Sequence, residues 1–422
     1  MADTLFQPLV LGGGALRLKH RVVLAPLTRT RASEADMAPQ SMCAEYYQQR
    51  ASEGGLLISE ATNISMESCG YHRAPGIWSE AQVSAWRCVT DKVHDKGGYI
   101  FCQLWHIGRV SHPSWSQHPL LAAAKASGAP MPSVSASEVA MPGKTYNVYP
   151  EGSKGPNAAP RALETAELPR LVADYRHAAR CAMRAGFDGV EVHAAHGYLL
   201  DQFLRTGTNH RTDRYGGSVE NRSRLLLEVV AAVLEEVGVG RVAVRLSPTQ
   251  PGAFDFFGAG DENHMDADGC NVTYRYVVEQ LNAKPLAYLL LTEPRWTGGR
   301  QDNDAEKDPG FNMPITNSST YRKIYKGVLM AAGGFVPSTA AEAVAAGGCC
   351  DLVAFGRWFL ANPDLPKRIQ AGAPLNHYRR ATFYTHEEEG YVDYPDLAGS
   401  VGQAGKYALI DASALVAPKA KL

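Results

Sequence analysis

The stretch Val190-Glu191-Val192-His193-Ala194-Ala195-His196-Gly197-Tyr198-Leu199-Leu200-Asp201-Gln202-Phe203-Leu204 decides how the chain is organised. It starts as an apolar, β-branched run after Gly186-Phe187-Asp188-Gly189, which predicts a buried strand. Small residues then separate two imidazoles, His193 and His196, from a phenol, Tyr198. Two neutral imidazole N–H groups can hold a substrate oxygen, and a nearby hydroxyl can deliver a proton. The stretch therefore indicates a strand with a catalytic C-terminal end, the alternative being a structural role for both histidines.

Apolar, strand-like runs recur along the whole chain, and each ends in polar, glycine or proline residues. The eight predicted strands are Arg21–Pro26, Gly55–Glu60, Gly98–Trp105, Gly189–His193, Arg241–Ser247, Leu286–Thr292, Gly327–Ala332 and Asp351–Phe355. Helical patterns fill the gaps between them, over Gln40–Ser52, Glu80–Lys96, Leu168–Ala185, Val219–Val237, Val272–Leu281, Ser319–Tyr325 and Ser338–Ala346. Eight buried strands alternating with helices in one series predict an α/β fold, a single (β/α)8 TIM barrel.

An open, doubly wound sheet is the alternative architecture. Such a sheet usually carries a glycine-rich dinucleotide loop after its first strand. Here the first predicted strand leads into Leu27-Thr28-Arg29, and the triplet Gly12-Gly13-Gly14 precedes that strand. The triplet lies between Leu9-Val10-Leu11 and Leu16-Arg17-Leu18, which predicts an N-terminal β-hairpin across the barrel floor rather than a phosphate loop.

The barrel pattern occupies most of the chain, so we expect one domain over residues 1–422. Its ordered core should run from about residue 4 to 398, with a C-terminal extension over 399–422. The segment His106–Pro160, between the third strand and its helix, is rich in Pro, Ser, Ala and Gly. It is too long for a plain connection, which predicts an excursion over the active face.

Composition limits the function classes. The 422 residues are 45% hydrophobic and 20% charged, with a formal net charge of −1, as in an ordinary globular enzyme. This charge balance argues against a nucleic-acid or anionic-membrane partner bound by bulk charge. No apolar run reaches the ~18 residues that a membrane helix needs. We expect a small-molecule substrate, no nucleic acid, no membrane, and a monomer or homodimer.

The cysteines and the termini bear on the compartment. Eight cysteines are scattered without a C-x-x-C pair, which predicts reduced thiols and no metal site. Met1-Ala2-Asp3-Thr4-Leu5 has neither the basic flank nor the apolar core of a secretory signal. The last residues, Ala420-Lys421-Leu422, are similar to a peroxisomal address. We therefore expect a cytoplasmic or peroxisomal location.

The reacting groups of a (β/α)8 barrel gather where the strands end. The predicted ends supply a cation, an amide, two hydroxyls and two glycine turns: Arg245, Gln103, Thr28, Thr62, Gly333-Gly334 and Gly356. Late glycine turns with an arginine are typical of a barrel phosphate site. An unpaired buried amide costs about 1–3 kcal/mol, so Gln103 needs a partner, which the amide edge of a bound ring could supply. The set predicts a phosphate-bearing ring cofactor. The alternative is that the glycines are ordinary turn residues and Arg245 is a plain ion-pair partner.

These motifs resemble the Old Yellow Enzyme family of FMN-dependent NADPH ene-reductases over nearly the whole chain. The stretches that carry the resemblance are Ala25–Arg29, Ile58–Thr62, Gln103–Arg109, His193–Leu204, Asn209–Arg222, Phe355–Arg357 and Ala361–Leu365. Thr28, where one branch of the family has cysteine, is similar to the classical branch. At position 196 some members have asparagine in place of histidine, and both side chains donate a hydrogen bond.

The resemblance implies non-covalently bound FMN and assigns its contacts. The implied cofactor-binding residues are Ala25, Pro26, Leu27, Thr28, Ala61, Gln103, Arg245, Gly333, Gly334, Gly356 and Arg357. Within this set, Gln103 would bond the pyrimidine edge of the flavin and Arg245 would stand beside its N1/O2 side. The glycines and Arg357 would receive the phosphate.

The resemblance also implies a reaction. His193 and His196 would polarise the substrate's carbonyl oxygen, and Tyr198 would protonate the α-carbon after flavin N5 gives hydride to the β-carbon. Trp105 and Tyr384 would line the substrate mouth. NADPH would first reduce FMN in the same site and leave, in a ping-pong cycle. The implied substrates are activated C=C bonds of α,β-unsaturated carbonyls or nitroalkenes.

One departure from the family and several alternatives accompany this expectation. Thr385-His386-Glu387-Glu388-Glu389 stands where family members often have a glycine-rich turn, and its acidic run predicts a solvated face.

A specialised reductase of an oxylipin such as 12-oxophytodienoate, in peroxisomes, is the alternative enzyme. A flavin-binding sensor without turnover and a barrel that binds no flavin are the alternatives from other classes.

Overall fold

Eight parallel strands close into a barrel in the computed structural model, which describes residues 2–14, 16–142, 144–145, 147–153, 155–248, 266–294, 315–400 and 407–410. The barrel strands are Val22–Leu24, Leu56–Ile58, Tyr99–Trp105, Gly189–His193, Val242–Leu246, Tyr288–Thr292, Leu329–Ala332 and Leu352–Phe355. Neighbours in the chain pair in parallel, and the eighth strand pairs with the first through Phe355 and Leu24. The predicted (β/α)8 barrel is confirmed and the open sheet is excluded.

Most strand ends differ from the predicted ones by one or two residues, and the others agree. The first strand ends at Leu24 rather than Pro26, because proline has no N–H to donate to a ladder. The fourth strand, Gly189–His193, has the predicted bounds. The polar residues that follow each strand therefore lie together at one end of the barrel, as the sequence indicates.

Helices surround the barrel. The longer ones and those that follow the predicted pattern are Ser41–Arg50, Glu80–His94, Leu168–Arg184, Val219–Val237, Val272–Asn282, Asn317–Tyr321 and Pro337–Val344. Additional short helices are Pro119–Ala126, Leu199–Leu204, Arg357–Ala361, Leu365–Ala371 and Leu397–Ser400. In the described part of the chain, no helix combines the length and apolar character needed to cross a bilayer.

One helix begins two residues and ends four residues earlier than predicted. The pattern placed it over Ser319–Tyr325, whereas it runs over Asn317–Tyr321. Glu293, just beyond the sixth strand, accepts hydrogen bonds from the backbone N–H groups of Thr316, Asn317 and Ser318 at 2.8, 3.0 and 2.8 Å. A carboxylate that accepts the free N–H groups of a first turn fixes where a helix begins.

The N-terminal hairpin closes the barrel floor as predicted. Leu9–Leu11 pairs antiparallel with Leu16–Leu18 across the glycine turn Gly12–Gly14. Leu11 and Leu18 are fully buried and pack into the barrel interior. The turn also approaches the loop before the fifth strand, since a Cβ on Gly12 would lie 2.2 Å from the carbonyl oxygen of Gly240. Glycine is required there for close backbone contact.

The excursion over 106–160 carries more regular structure than its composition suggests. It contains the helix Pro119–Ala126 and a short strand, Val134–Ser135, that pairs in parallel with Arg161–Ala162. It is fixed to the barrel through Gln202, whose Oε1 accepts a hydrogen bond from Ser135 Oγ at 2.9 Å. Gln202 belongs to the helix that follows Tyr198, so the excursion covers the C-terminal end of the barrel.

Candidate active site

The fourth strand delivers the three predicted catalytic side chains to one place. His193 is its last residue, and the chain then turns through His196, which has a φ of 60°. The ring centroids of His193 and His196 are 5.3 Å apart, and those of His193 and Tyr198 are 5.2 Å apart. Both histidines are buried, and Tyr198 is half-buried. The structure therefore brings His193, His196 and Tyr198 together at the barrel mouth.

A buried carboxylate holds the turn that carries His196 and Tyr198. Asp201 Oδ2 accepts hydrogen bonds from the backbone N–H of Gly197 and from Arg205 Nε, both at 2.8 Å. The hydroxyl of Tyr274 donates to its other oxygen. A non-glycine residue at positive φ is strained by about 1–3 kcal/mol and persists only where its surroundings fix it. Asp201 supplies part of that constraint for His196.

Both histidines are neutral in this environment. Burial lowers the pKa of each imidazole well below its ordinary value, and the nearby positive charge of Arg245 lowers it further. Nδ1 of His193 accepts a hydrogen bond from the backbone N–H of Ala195 at 3.3 Å. A neutral imidazole that accepts at one nitrogen carries its proton on the other. His193 therefore presents Nε2–H as a donor.

The phenol of Tyr198 keeps its proton. Burial raises the pKa of Tyr198 well above its ordinary value, and the neighbouring hydroxyl of Tyr71 raises it further. The edge of its ring packs against Trp105, with the ring centroids 4.9 Å apart, and Trp105 is fully buried. Tyr384, the other predicted mouth residue, follows the short helix Arg380–Thr382 and is 54% exposed. Tyr198 is thus placed and protonated as a proton donor requires.

Inward-facing polar side chains lie beside the histidines on neighbouring strands. Strand register places His193 opposite Arg245 and Glu191 opposite Gln103. Gln103 Nε2 donates to Glu191 Oε1 at 2.7 Å, and Arg245 Nε donates to Thr292 Oγ1 at 3.2 Å. The two Nη groups of Arg245, although the residue is only 9% exposed, have no acceptor among the described residues. A buried cation with free donors is the feature that an anionic or electron-rich ligand would satisfy.

The late glycine turns form a cradle at the ends of the seventh and eighth strands. The register pairs Ala332 with Ala354, so Gly333 and Gly334 lie beside Gly356. Gly333 has a φ of 117°, and a Cβ there would lie 2.9 Å from the carbonyl oxygen of Glu293. Glycine is therefore required, and it leaves space for a ligand to approach the backbone. Next to the cradle, Arg357 is half-buried, and its Nη1 lies 3.3 Å from the hydroxyl of Tyr378.

The first two strands contribute small and apolar groups to the same end. Ala25 is buried and donates its N–H to the carbonyl of Phe355 at 3.0 Å. Pro26 is buried, and Leu27 and Thr28 are half-buried. Leu27 Cδ2 would lie 3.3 Å from a Cβ on Gly356, so the first and eighth strands meet here. Ala61, beyond the second strand, is buried and packs with Trp105.

These groups fit a flavin nucleotide. The buried guanidinium of Arg245 with its free donors, the amide of Gln103 and the backbone at Ala25 suit a polar, electron-rich ring. The cradle of Gly333 and Gly334 beside Arg357 suits a phosphate. Neutral imidazoles and a protonated phenol lie beside the position that the flavin ring would occupy. The fold and site therefore define a barrel oxidoreductase that works with bound flavin.

The chain belongs to the Old Yellow Enzyme group of flavoproteins: residues 4–376 match the sequence profile of the NADH:flavin oxidoreductase / NADH oxidase family. It is 46% identical to 12-oxophytodienoate reductase 2 of Arabidopsis thaliana over 385 residues, covering 91% of this chain and 94% of the relative. It is 44% identical to 12-oxophytodienoate reductase 7 of Oryza sativa subsp. japonica over 387 residues, covering 90% and 92%.

Solved structures agree with this assignment. The Old Yellow Enzyme homologue from Zymomonas mobilis superposes with a TM-score of 0.78 at 42% identity, covering 93% of this chain and 99% of that one. Morphinone reductase in complex with tetrahydroNAD gives a TM-score of 0.78 at 43% identity, covering 93% and 97%. The family membership, the oxidoreductase class and the flavin dependence predicted from the motifs are confirmed.

Several residues that organise the site were not predicted. Asp201 holds the turn, Gln202 holds the excursion and Thr292 contacts His196. Asp201 and Gln202 lie in the stretch that carries the family resemblance, but the resemblance assigned no role to any of the three. Glu191 could have been found, because a carboxylate inside an apolar strand needs a buried partner. That partner is Gln103, and burial raises the pKa of the Glu191 carboxyl although Arg245 opposes this.

The segment that departs from the family pattern is both exposed and anchored. Glu387, Glu388 and Glu389 are exposed, as the acidic run predicts. The adjoining His386 bridges two other loops, with Nδ1 2.6 Å from the carbonyl oxygen of Thr30 and Nε2 2.6 Å from Glu151 Oε1. The rim near Tyr384 is therefore fixed by contacts to the excursion rather than by a glycine-rich turn.

Proposed function

We propose that the protein is an FMN-dependent NADPH oxidoreductase that reduces activated C=C bonds of α,β-unsaturated carbonyls or nitroalkenes. The observation that carries the proposal is the pair of neutral imidazoles, His193 and His196, beside the protonated phenol of Tyr198. When bound, FMN would supply the hydride chemistry, taking hydride from NADPH and giving it to the β-carbon. The remaining steps belong to the side chains of the mouth.

The imidazole pair would bind the electron-withdrawing oxygen of the substrate. Negative charge develops on that oxygen when the β-carbon accepts hydride, and preorganised N–H donors stabilise such charge. His193 presents Nε2–H, and its neighbour His196 lies almost perpendicular to it, with an interplanar angle of 89°. Two donors from different directions would fix the orientation of the carbonyl. They would thereby determine which face of the double bond is turned toward the flavin.

Tyr198 would then protonate the α-carbon. Its pKa is raised by burial, so the phenol holds its proton at neutral pH, and the packing against Trp105 fixes its ring. Gln103 and Arg245 would hold the flavin ring, together with Ala25, Pro26, Leu27, Thr28 and Ala61. Gly333, Gly334, Gly356 and Arg357 would bind its phosphate. We further propose that residues 1–422 form one FMN-binding domain.

Tyr198→Phe tests the proton-donor role. A positioned general acid contributes about 10²–10⁴-fold, so the variant should reduce cyclohexenone at least about 100-fold more slowly. It should retain yellow FMN and oxidise NADPH normally under oxygen, since neither step uses the phenol. Reduction of cyclohexenone at the wild-type rate would show that Tyr198 is not the donor.

The histidine pair is tested by a spectroscopic signal that needs no turnover. Phenols bound above an oxidised flavin give a long-wavelength charge-transfer band, and their oxygen should occupy the same imidazole site. A His193→Ala, His196→Ala double variant should lose this band, whereas Tyr198→Phe should keep it. A band of unchanged strength in the double variant would remove both histidines from the oxygen site.

A specialised oxylipin reductase is the second candidate. It is favoured by the 46% identity to a protein named 12-oxophytodienoate reductase and by the histidine pair. The peroxisome-like tripeptide Ala420-Lys421-Leu422 lies outside the described residues. Comparison of kcat/KM for 12-oxophytodienoate, cyclohexenone and a maleimide decides between the two functions. A preference of about 100-fold or more for the oxylipin would support the specialised role, and similar values would support a general reductase.

A further inference from the structure

A threonine at the end of the sixth barrel strand links the buried cation to the catalytic turn. Thr292 is 3% exposed and pairs with Ala332 of the seventh strand. The side chain of Ala332 lies in the barrel interior. Its Oγ1 lies 3.2 Å from Arg245 Nε and 2.9 Å from His196 Nε2. In the described part of the chain, these are the two hydrogen-bond partners of that hydroxyl.

The direction of each hydrogen bond follows from the chemistry of its ends. A guanidinium nitrogen donates and never accepts, so Thr292 Oγ1 accepts from Arg245. The hydroxyl has a single proton, and among the described residues His196 Nε2 is the one acceptor within its reach. A buried hydroxyl proton without an acceptor is unfavourable. The proton of Thr292 therefore points at His196 Nε2.

We propose that Thr292 is a positioning residue that fixes His196 as the Nδ1–H tautomer. The relay runs from Arg245 through Thr292 to His196, with each group donating to the next. His193 is held in the opposite tautomer, because its Nδ1 accepts the N–H of Ala195 and its proton lies on Nε2. The two imidazoles thus differ in which ring nitrogen serves as donor. The neutral state that a tautomer requires is consistent with the burial of both rings beside Arg245.

The tautomer of His196 determines which of its ring N–H groups would bind the substrate oxygen. That consequence rests on the proposed function. His196 Nε2 faces Thr292 Oγ1 at 2.9 Å, so the donor of His196 toward a substrate oxygen would be Nδ1–H, whereas that of His193 is Nε2–H. Opposite tautomers allow a donor from each ring. Without the threonine proton, His196 could place its own proton on Nε2 and would then lose the Nδ1 donor.

The tautomer can be measured directly by 15N NMR. Protein carrying 15N-labelled histidine shows, for each of its 13 histidines, which ring nitrogen is protonated. Holoenzyme without substrate is used, and His196→Asn identifies the His196 signals by their loss. Wild-type protein should show a protonated Nδ1 and a bare Nε2 at His196. A protonated Nε2 at His196 in wild-type protein would overturn the proposal.

Two variants isolate the hydroxyl. Thr292→Val keeps the shape of the side chain and removes the donor, so His196 should shift toward the Nε2–H form. Thr292→Ser keeps the hydroxyl and should restore the wild-type tautomer. A valine variant that still shows Nδ1–H, or a serine variant that behaves like valine, would show that packing rather than the hydroxyl controls the ring.

A phenol titration separates this proposal from the proposed function. With 4-chlorophenol as the probe, Thr292→Val should raise Kd about tenfold, as for loss of one hydrogen bond, and Thr292→Ser should stay within about twofold of wild type. Equal affinity in all three proteins would refute the link between Thr292 and the oxygen site. If wild-type protein binds no phenol but shows Nδ1–H at His196, the proposed function fails and the tautomer assignment stands.

Discussion

Removing the carboxylate of Asp201 should damage both the stability of the fold and the oxygen site. Asp201 is fully buried and pairs with the equally buried Arg205 at 2.8 Å. Asp201→Ala would remove the carboxylate that pairs with this guanidinium and that accepts the N–H of Gly197. Breaking a buried ion pair costs about 3–5 kcal/mol. If relief of the positive φ at His196 returns about 1 kcal/mol, the lower end of its strain energy, the expected loss is about 2–4 kcal/mol.

The measurement combines denaturant unfolding with phenol affinity. Against a typical total stability of about 5–15 kcal/mol, the variant should remain folded at 25 °C with a lower unfolding midpoint. Because the relaxed turn carries His196 and Tyr198, phenol affinity should fall about tenfold or more. FMN content should change little, since Asp201 lies beyond the predicted flavin contacts.

A matched control distinguishes a local effect on the turn from general destabilisation. Asp364 pairs with the buried Arg368 at 2.7 Å in the same i,i+4 arrangement, and its other oxygen accepts the N–H of Leu397 at 2.8 Å. Asp364→Ala should lower stability by a similar amount and leave phenol affinity unchanged. If Asp201→Ala matches wild type in both measurements, or weakens phenol binding no more than Asp364→Ala does, the turn is not held by this carboxylate.

Two further predictions concern the phosphate cradle and a buried acid. Gly333→Ala would place a Cβ 2.9 Å from the carbonyl oxygen of Glu293 at a φ of 117°, so FMN should dissociate more readily, and fluorescence of released FMN measures this. Normal FMN retention would exclude Gly333 from the cradle. Burial raises the pKa of Glu60 to about 7 in the native state. Between the lower pKa of the unfolded state and about pH 7, the native state therefore holds a proton on Glu60 that the unfolded state has released. Stability should therefore fall as pH rises through that window, by up to about 1.4 kcal/mol per pH unit, and Glu60→Gln should reduce the slope of unfolding midpoint against pH. An identical slope in both proteins would contradict the raised pKa.

The sequence was sufficient to predict the barrel, because each strand is a short apolar run bounded by turn residues. It also placed His193, Arg245, Gln103 and the late glycines at strand ends. Parallel strands in a closed barrel necessarily bring those ends together. The location of the candidate site was therefore predictable without any knowledge of which side chains touch.

The contacts inside the site were not predictable in this way. Thr292 and His196 are 96 residues apart, and they meet only because three neighbouring strands have a particular register. A shift of one residue would turn Thr292 away from the barrel interior. Asp201 and Tyr274, 73 residues apart, likewise meet through helix packing. Local patterns contain no information on such pairs, which is why these supporting residues were missed.

The buried charge of Arg245 links the separate properties of the site. Burial lowers the pKa of both histidines, and the field of Arg245 lowers it further, so that each remains a neutral donor. Through Thr292, the same guanidinium orients the hydroxyl that faces His196. The cost of burying this cation is reduced by the carboxyl of Glu191, which is itself held by Gln103. One inward-facing arginine can therefore stabilise charge on a bound ring and reinforce the neutral state that burial imposes on the groups that bind the substrate oxygen.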